Sequence, residues 1–316
     1  MKELGDLSII IVAWNTREMT RRCLESIQGA DPEHGWDVIV VDNASQDGTP
    51  SMVRSLFPWV RLIVNKENLG FGRANNLVLR DVTTEFALLL NSDASLTKEA
   101  VSRFLRFMRS HPEVGVAGGQ LVYPDGRLQN SIVSFPSLLT EMTNKSLLQI
   151  LFPKRYPSKR LNFKGPMEVD SVIGAAMMLR MDAVRSVGYF DEDYFFFLEE
   201  TDLCFRLRKR GWKIFFLPDV RIVHAQGSSV KQVRARARVE YQRSLHLFFE
   251  KNYGRGKARV VKGYGYLKAW ADLLGALPSR LLNPSNAPRW EKYKHLLTWY
   301  HRGCPADMGL APKSSV

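Results

Sequence analysis

Apolar and polar positions alternate along the first 120 residues in two periods. Leu7–Ala13 (LSIIIVA) is an unbroken apolar, β-branched run, the pattern of a strand buried on both faces of a parallel sheet. Thr20, Cys23, Leu24 and Ile27 follow at helical spacing, and Asp37–Val41 reads as a second strand. A helix around Pro50–Phe57 places Met52, Val53 and Leu56 on one side, and Val60–Val64 is a third strand. Arg73–Arg80 is predicted helical and Phe86–Leu90 a fourth strand. Thr97 then caps a helix that buries Val101, Phe104, Leu105 and Met108. Strand–helix alternation of this regularity predicts a mostly parallel, doubly wound α/β sheet with right-handed crossovers. Ligands of such sheets bind beyond the carboxyl ends of the strands.

From Leu128 to Met167 the periodicity fades, and Phe135-Pro136, Phe152-Pro153 and Tyr156-Pro157 punctuate an aromatic and basic stretch. Alternation resumes at Val169–Met178, with a short helix at Asp182–Val187 and another from about Glu200 to Lys209 that Gly211 ends. Strands at Lys213–Leu217 and Val220–His224 precede a basic helix over Lys231–Phe249. These signals divide the chain into a domain over 1–254, in halves 1–120 and 121–254, and a basic helical tail over 255–316.

Composition narrows the partners. The 316 residues carry 45 Lys and Arg against 32 Asp and Glu, a formal charge of +13, with 45% apolar and 24% charged residues. From Lys251 onward there are 12 basic and 3 acidic residues, so the excess sits in the tail, away from the acidic clusters. A nucleic-acid enzyme with a basic catalytic groove is therefore disfavoured, and a basic appendage touching something anionic is favoured. Within the tail, Trp270, Leu273, Leu274, Leu277 and Leu281 share a helical face suited to lying on a membrane. Three scattered cysteines form neither a disulfide framework nor a zinc motif. No run is long enough to span a bilayer and no secretory leader stands at the start, so the chain reads as cytoplasmic, peripheral on the inner face of the membrane.

The candidate chemistry falls at the strand ends. Asn15 follows the first strand, Asp42-Asn43 the second, Asn68–Gly72 the third and Asn91-Ser92-Asp93 the fourth. Each alone is ordinary turn chemistry; four in succession describe one polar rim. Asp93, at the end of a buried strand, is the best-placed metal-side acid, where Mg²⁺ or Mn²⁺ would take hard oxygen ligands. Asp42 can accept hydrogen bonds from a base or ribose, the Asn68–Gly72 glycines permit close backbone approach, and Arg73 suits phosphate. A second acidic group comprises Asp191, Glu192 and Asp193, then Glu199, Glu200 and Asp202, separated by aromatic Tyr194–Phe197. An apolar wall raises a carboxylate towards the range of a useful base. His224 ends an apolar strand on the same rim and suits a metal or phosphate.

Seven ordered blocks carry a family resemblance from Leu7 to Gly254: IIVAWN (10–15), VVDNASQDGT (40–49), NLGFGRANN (68–76), LLNSD (89–93), GYFDE (188–192), EETDLC (199–204) and HAQGSS (224–229). Together they resemble the family-2 inverting glycosyltransferases, which have the GT-A fold. The resemblance implies that Ala13, Asn15, Asp42, Asn68, Gly70, Arg73 and Asn75 hold a nucleotide-sugar donor. It makes Asp93 the acid of the DxD element and His224 a third metal or diphosphate contact. Glu200 becomes the base, with Glu199 its rival, and Asp191, Asp193 and Asp202 lie on the acceptor side. Asn91 departs from the pattern, which has an acid there, and implies weaker or more substrate-dependent metal binding. The Asn-x-Asp form with Phe135-Pro136-Ser137 most resembles the rhamnosyltransferase-like subgroup. That subgroup implies a dTDP-rhamnose donor and a glycan or polyprenyl-linked acceptor of cell-surface polysaccharide. Two other readings remain open here: a sugar nucleotidyltransferase, although Ala13–Thr16 is no Gly-rich phosphate loop, and a non-catalytic sugar-nucleotide-binding protein.

Overall fold

Alternate residues of each central strand face opposite ways, and that period builds two cores. The computed structural model describes residues 7–152, 163, 165–225, 234–282 and 287–311. In chain order the first elements are β1 (Leu7–Ala13), α1 (Arg17–Ala30), β2 (Asp37–Asp42), α2 (Thr49–Leu56), β3 (Arg61–Val64) and α3 (Gly70–Leu79). Then come β4 (Phe86–Asn91), β5 (Ala94–Ser95), α4 (Lys98–Ser110) and β6 (Val114–Val122). Leu7, Ile9, Ile11, Val38, Val40, Leu88 and Leu90 pack against α1, α2 and α4, whereas Ile10, Ile39, Val41, Ala87 and Leu89 pack against α3 on the other face. Burying such an aliphatic side chain contributes about 1.5–3 kcal/mol. Polar substitution at Ile9 or Ile10 would therefore break a layer whichever way it pointed. Thr97 caps α4 as expected, its hydroxyl accepting from the Ala100 amide at 3.2 Å.

The chain continues with β7 (Ile132–Val133), α5 (Leu138–Met142), α6 (Lys145–Leu151), β8 (Met167–Glu168), β9 (Ser171–Val172), β10 (Ala176–Arg180), α7 (Met181–Val187), α8 (Glu199–Lys209) and β11 (Lys213–His224). The main sheet runs β3-β2-β1-β4-β10-β6-β11-β5, with β8 beside β11, while β7 and β9 form a separate pair. β3, β2, β1 and β4 are mutually parallel; β10 is antiparallel to both β4 and β6, and β6 and β11 are again parallel.

The structure departs from the sequence reading at four places. β6 (VGVAGGQLV) has no strand signature because glycine weakens β-propensity, yet every residue of it is buried. Its glycines are sterically required: a Cβ on Gly118 would lie 2.5 Å from the Val172 Cβ, and one on Gly119 2.6 Å from the Val220 carbonyl oxygen. Val169–Met178 is not one strand but β9 and β10, separated by Ile173–Ala175. Conversely, Lys213–Leu217 and Val220–His224 are one strand, β11, carrying a register shift between Leu217 and Arg221 where Pro218 interrupts the ladder. Finally, α3 starts at Gly70, so the Gly pair lies in its first turn.

The chain divides into two compact units, and neither is a continuous segment. The first holds residues 1–135, 154–192 and 199–226, and so contains the sheet. The second takes residues 136–153, 193–198 and 227–316. Its elements are α5, α6, α9 (Arg234–Tyr253), α10 (Arg255–Leu282) and α11 (Ala287–His301). Helix α9, which sequence grouped with residues 1–254, thus belongs with the tail. Val239, Ala269, Leu273, Ala276, Leu296, Leu297 and Trp299 form this unit's core. The membrane-facing stripe expected on α10 is accordingly split: Leu273 is buried in that core, while Trp270, Leu274 and Leu277 are exposed. The side chain of Leu281, residues 231–233 of the predicted basic helix and Gly227–Ser229 lie outside the described residues. No helix among the described residues is long and apolar enough to cross a membrane.

Candidate active site

The polar rim predicted from the strand ends is a connected hydrogen-bond network. At the end of β1 the Ala13 carbonyl accepts from the Asn43 amide at 2.8 Å. Asn15 follows with φ of 51°, a left-handed turn that asparagine tolerates. Its amide donates to Ser45 Oγ and its Oδ1 accepts from the Gln46 amide, both at 2.8 Å. Asp42 ends β2 fully buried. Its Oδ2 accepts from the Ser45 amide at 2.9 Å, and its Oδ1 is buried with no hydrogen-bond partner. A buried carboxylate oxygen without a donor is costly. The observation fits a site completed by a ligand N–H or O–H.

The Asn68–Asn76 segment behaves differently. Asn68 Oδ1 accepts from the Gly70 amide at 2.9 Å, closing a turn in which Gly70 takes φ of 79°. Asn43 Nδ2 donates to the Gly70 carbonyl, fixing the start of α3 against β2. Arg73 is exposed and its Nε donates to the Glu192 carbonyl at 2.7 Å. Asn75 is buried and donates to the Phe71 carbonyl. Asn76 holds the 190–192 turn, bonding the Phe190 amide, the Phe190 carbonyl and Glu192 Oε1. Of this loop, Asn68 and Gly70 are tied to the rim, whereas Arg73 and Asn75 serve α3 and the following acidic turn.

The end of β4 carries the densest chemistry. The two-residue strand β5 pairs antiparallel with the end of β11, His224 opposite Ala94, and this brings the Asp93 carboxylate to 3.2 Å from His224 Nε2. Both side chains are nearly buried. Asn91 Nδ2 lies 3.4 Å from the same nitrogen. Gln129 holds the ring from behind: its Nε2 donates to the His224 carbonyl, which turns its Oε1 towards His224 Nδ1 at 2.9 Å. The ring is thereby held with Nδ1 towards Gln129 and Nε2 towards Asp93. A histidine whose far nitrogen is fixed by a hydrogen bond is the usual form of a metal-ligating imidazole. One imidazole and one carboxylate would supply two of the roughly six donors of a Mg²⁺ or Mn²⁺ shell. Among the described residues no group of three or more His, Cys, Asp or Glu is arranged to hold an ion. Further donors would come from substrate oxygens and water. Gln129 was not foreseen, since it stands in the aperiodic stretch with no motif to mark it.

Glu199 and Glu200 open α8. Glu199 is buried and Glu200 half-buried. Burial pushes the Glu200 carboxyl up, opposed by amide hydrogen bonds from its own backbone, Gly174 and Thr201. The Gly174 amide bonds the Glu200 carboxyl and the next carbonyl, that of Ala175, accepts from the Asn91 amide at 2.9 Å, so one short segment links Glu200 to the end of β4. A side chain at Gly174 would touch the Phe71 ring at 3.4 Å, which places an aromatic wall there. The other acids divide. Asp202 is buried and bonds Arg206 at 2.7 Å, while Arg206 caps the Val187 and Tyr189 carbonyls. Glu192 is held below its ordinary range by Asn76 and then, against the opposing effect of burial, by Arg80. Asp191 is half-buried in the first unit. Asp193 belongs to the second, where Lys251 Nζ approaches it at 2.6 Å.

A mostly parallel α/β sheet whose carboxyl edge carries Asp42, Asp93 and His224 has the architecture of the GT-A class. The comparisons narrow the class. Residues 8–188 match the Glycosyl transferase family 2 model, and the chain belongs to that family. It is 27% identical over 260 residues to the N-acetylglucosaminyl-diphospho-decaprenol L-rhamnosyltransferase of Mycobacterium tuberculosis, covering 77% of this chain and 83% of that one. It is 26% identical over 242 residues to the low-salt glycan biosynthesis hexosyltransferase Agl10 of Haloferax volcanii, covering 71% and 68%. Among solved structures, the mannosyltransferase PcManGT of Pyrobaculum calidifontis, in complex with GDP-Man and Mn²⁺, superposes with a TM-score of 0.54 at 18% identity. That match covers 94% of this chain and 86% of the other, and it establishes the fold.

Proposed function

We propose that this glycosyltransferase moves L-rhamnose from dTDP-rhamnose to a hydroxyl of a polyprenyl-diphosphate-linked glycan, with inversion at the anomeric carbon. The Asp93–His224 pair, fixed by Gln129 and tied through Asn91 and Ala175 to Glu200, is the observation that carries the catalytic part. The sugar and acceptor rest on the similarity to the decaprenol-linked rhamnosyltransferase and on the Asn-x-Asp sequence at 91–93.

In this reading Asp42 accepts from the base or ribose, and Ala13, Asn15, Asn68 and Gly70 shape the nucleotide cleft. Arg73 and Asn75 support that cleft through α3. Asp93 and His224 would hold a Mg²⁺ or Mn²⁺ ion, whose charge, when bound, offsets that of the leaving diphosphate. Glu200 accepts the proton of the acceptor hydroxyl as its oxygen bonds to the anomeric carbon. The bond from that carbon to the β-phosphate oxygen breaks on the opposite side, and dTDP leaves with the electron pair. A carboxyl raised by burial is matched to this task, since a base works best near the operating pH. Glu199 supports the same helix terminus, and Asp191 and Asp202, which lie in the same unit as Glu200, frame the acceptor side.

The test is transfer from a panel of UDP-, GDP- and dTDP-sugars to a polyprenyl-diphosphate N-acetylglucosamine acceptor. Rhamnosyl product from dTDP-rhamnose is expected. Product from another donor alone overturns the sugar assignment, and undiminished product with Asp93→Ala overturns the site.

A further inference from the structure

Helix α10 has two apolar faces, and only one is used inside its unit. Ala269, Leu273 and Ala276 face the core of the second unit. Val260, Leu267, Trp270, Leu274 and Leu277 are exposed, from 38% at Trp270 to 66% at Leu267. Their spacings of seven, three, four and three residues place them within an arc of about 100° at 100° per residue. Gly256 and Gly263 fall on the same arc, and the one described charged residue to reach it, Arg259, stands at its edge at the angle of Leu277. By the same geometry exposed Lys257 and Lys268 flank one side of the stripe, and exposed Arg259 and Lys262 the other. The one acid of the helix, Asp272, lies off the arc and pairs with Lys268 at 3.6 Å.

A second apolar projection belongs to the same unit. On and just after α6, Leu147, Ile150, Leu151 and Phe152 are all more than half exposed. Helix α5, which precedes it, packs against α10, with Tyr264 Oη 3.5 Å from the Met142 carbonyl. Eleven of the seventeen exposed large apolar side chains among the described residues lie in this unit, which holds little more than a third of the chain. Exposed apolar surface concentrated in this way marks an interaction site.

We infer that the exposed face of α10 docks on an anionic lipid surface. Its apolar stripe would enter the headgroup–acyl boundary while the flanking Lys and Arg side chains reach lipid phosphates. Charge selects this occupant. A second copy of the chain would bring another +13 against the basic flanks. A face that carries lysine and arginine on both edges and no acid along its length is complementary to an anionic bilayer. The inference is independent of the sugar transferred; it deepens the proposed function only in supplying a surface from which a lipid-linked acceptor could be reached.

The experiment is sedimentation of the full chain with vesicles of phosphatidylcholine alone and with roughly a quarter phosphatidylglycerol. The wild type is expected to pellet with the anionic vesicles and to remain in solution with the neutral ones. Leu267→Ser/Leu274→Ser/Leu277→Ser should lower the partition coefficient at least about tenfold, and Lys257→Glu/Arg259→Glu/Lys262→Glu should abolish the preference for anionic lipid. Thermal melting checks that each variant is folded. If the triple serine variant is not, Leu274→Ser alone, at a position 61% exposed, carries the test with a smaller loss. Equal partitioning of wild type and folded apolar variants overturns the inference, as does wild-type failure to bind anionic vesicles. So does a dimer in light scattering that the serine substitutions dissolve. Transfer to a water-soluble acceptor, measured in parallel, reports on the catalytic reading separately.

Discussion

Replacing Glu200 by Gln removes a proton acceptor and keeps the shape, so activity and stability should move in opposite directions. General-base catalysis is worth about a hundred- to ten-thousand-fold in rate, or about 3–5 kcal/mol of transition-state stabilisation. Turnover of Glu200→Gln should fall by that factor with little change in donor KM. Stability responds to the cause of the pKa shift. Burial raises the native carboxyl above its ordinary value of 4.5. The native state therefore binds this proton more tightly than the unfolded chain. The resulting stability is fully present below the unfolded value and is lost as pH rises through the native value. Gln carries no charge at any pH. The variant should therefore melt higher than wild type at neutral pH and no higher at pH near 4, a difference that differential scanning calorimetry resolves. The wild-type rate should fall on acidification with an apparent pKa above the ordinary carboxylate range, and the variant should lose that limb. Full activity in the variant, or a melting gain of equal size at both pH values, refutes the reasoning.

Three further outcomes follow from the same geometry. Gln129→Leu frees the His224 ring and should raise the Mn²⁺ concentration for half-maximal activity about 10- to 100-fold, with nucleotide affinity by calorimetry unchanged; an unaltered metal titration would show that Gln129 positions nothing. Asp42→Asn should weaken binding of the donor's nucleoside diphosphate about 10- to 100-fold, as expected when a charged acceptor is lost, and an unchanged Kd would mean that the orphaned oxygen does not meet the nucleotide. Gly118→Ala forces a Cβ against Val172 and should cost about 1–3 kcal/mol, seen as a lower Tm; Val172→Ala in the same chain should recover part of it, and full additivity of the two losses would exclude that contact.

The parallel half of the sheet was legible because its signals are local. β1 and β2 are β-branched runs and β4 is a leucine-rich apolar run, the alternate residues of each face two cores, and polar residues follow each of them in turn. β6 was not legible. Its glycines answer to Val172 and Val220, which lie far along the chain, and long-range steric demand leaves only a weakened strand signal in sequence. The same holds for Gln129, whose task is defined by a histidine 95 residues later. The acidic group was legible as a cluster but not as individuals. Asp202 and Glu192 have arginine partners, one a helical turn away and one 112 residues distant, and composition alone gives them the same standing as Glu200.

The site depends most on the smallest element of the sheet. β10 enters antiparallel between β4 and β6, so the carboxyl ends of β4 and β11 are separated by two intervening strands. Strands in that order would leave Asp93 and His224 on different ends of the rim. β5 removes the difficulty: two residues, Ala94 and Ser95, fold back from β4 onto the far end of β11, and the Ala225 amide donates to the Asp93 carbonyl at 2.9 Å. The two residues are thereby brought together through backbone bonds, and the Gln129 side chain then orients the ring. This also gives a role to Asn91. With Asp93 already held against His224, a second carboxylate at 91 would stand beside the first. The amide instead directs a donor edge at the same nitrogen without adding charge. An Asn91→Asp substitution should then tighten Mn²⁺ binding in the absence of nucleotide, and a metal titration without donor reads that change directly.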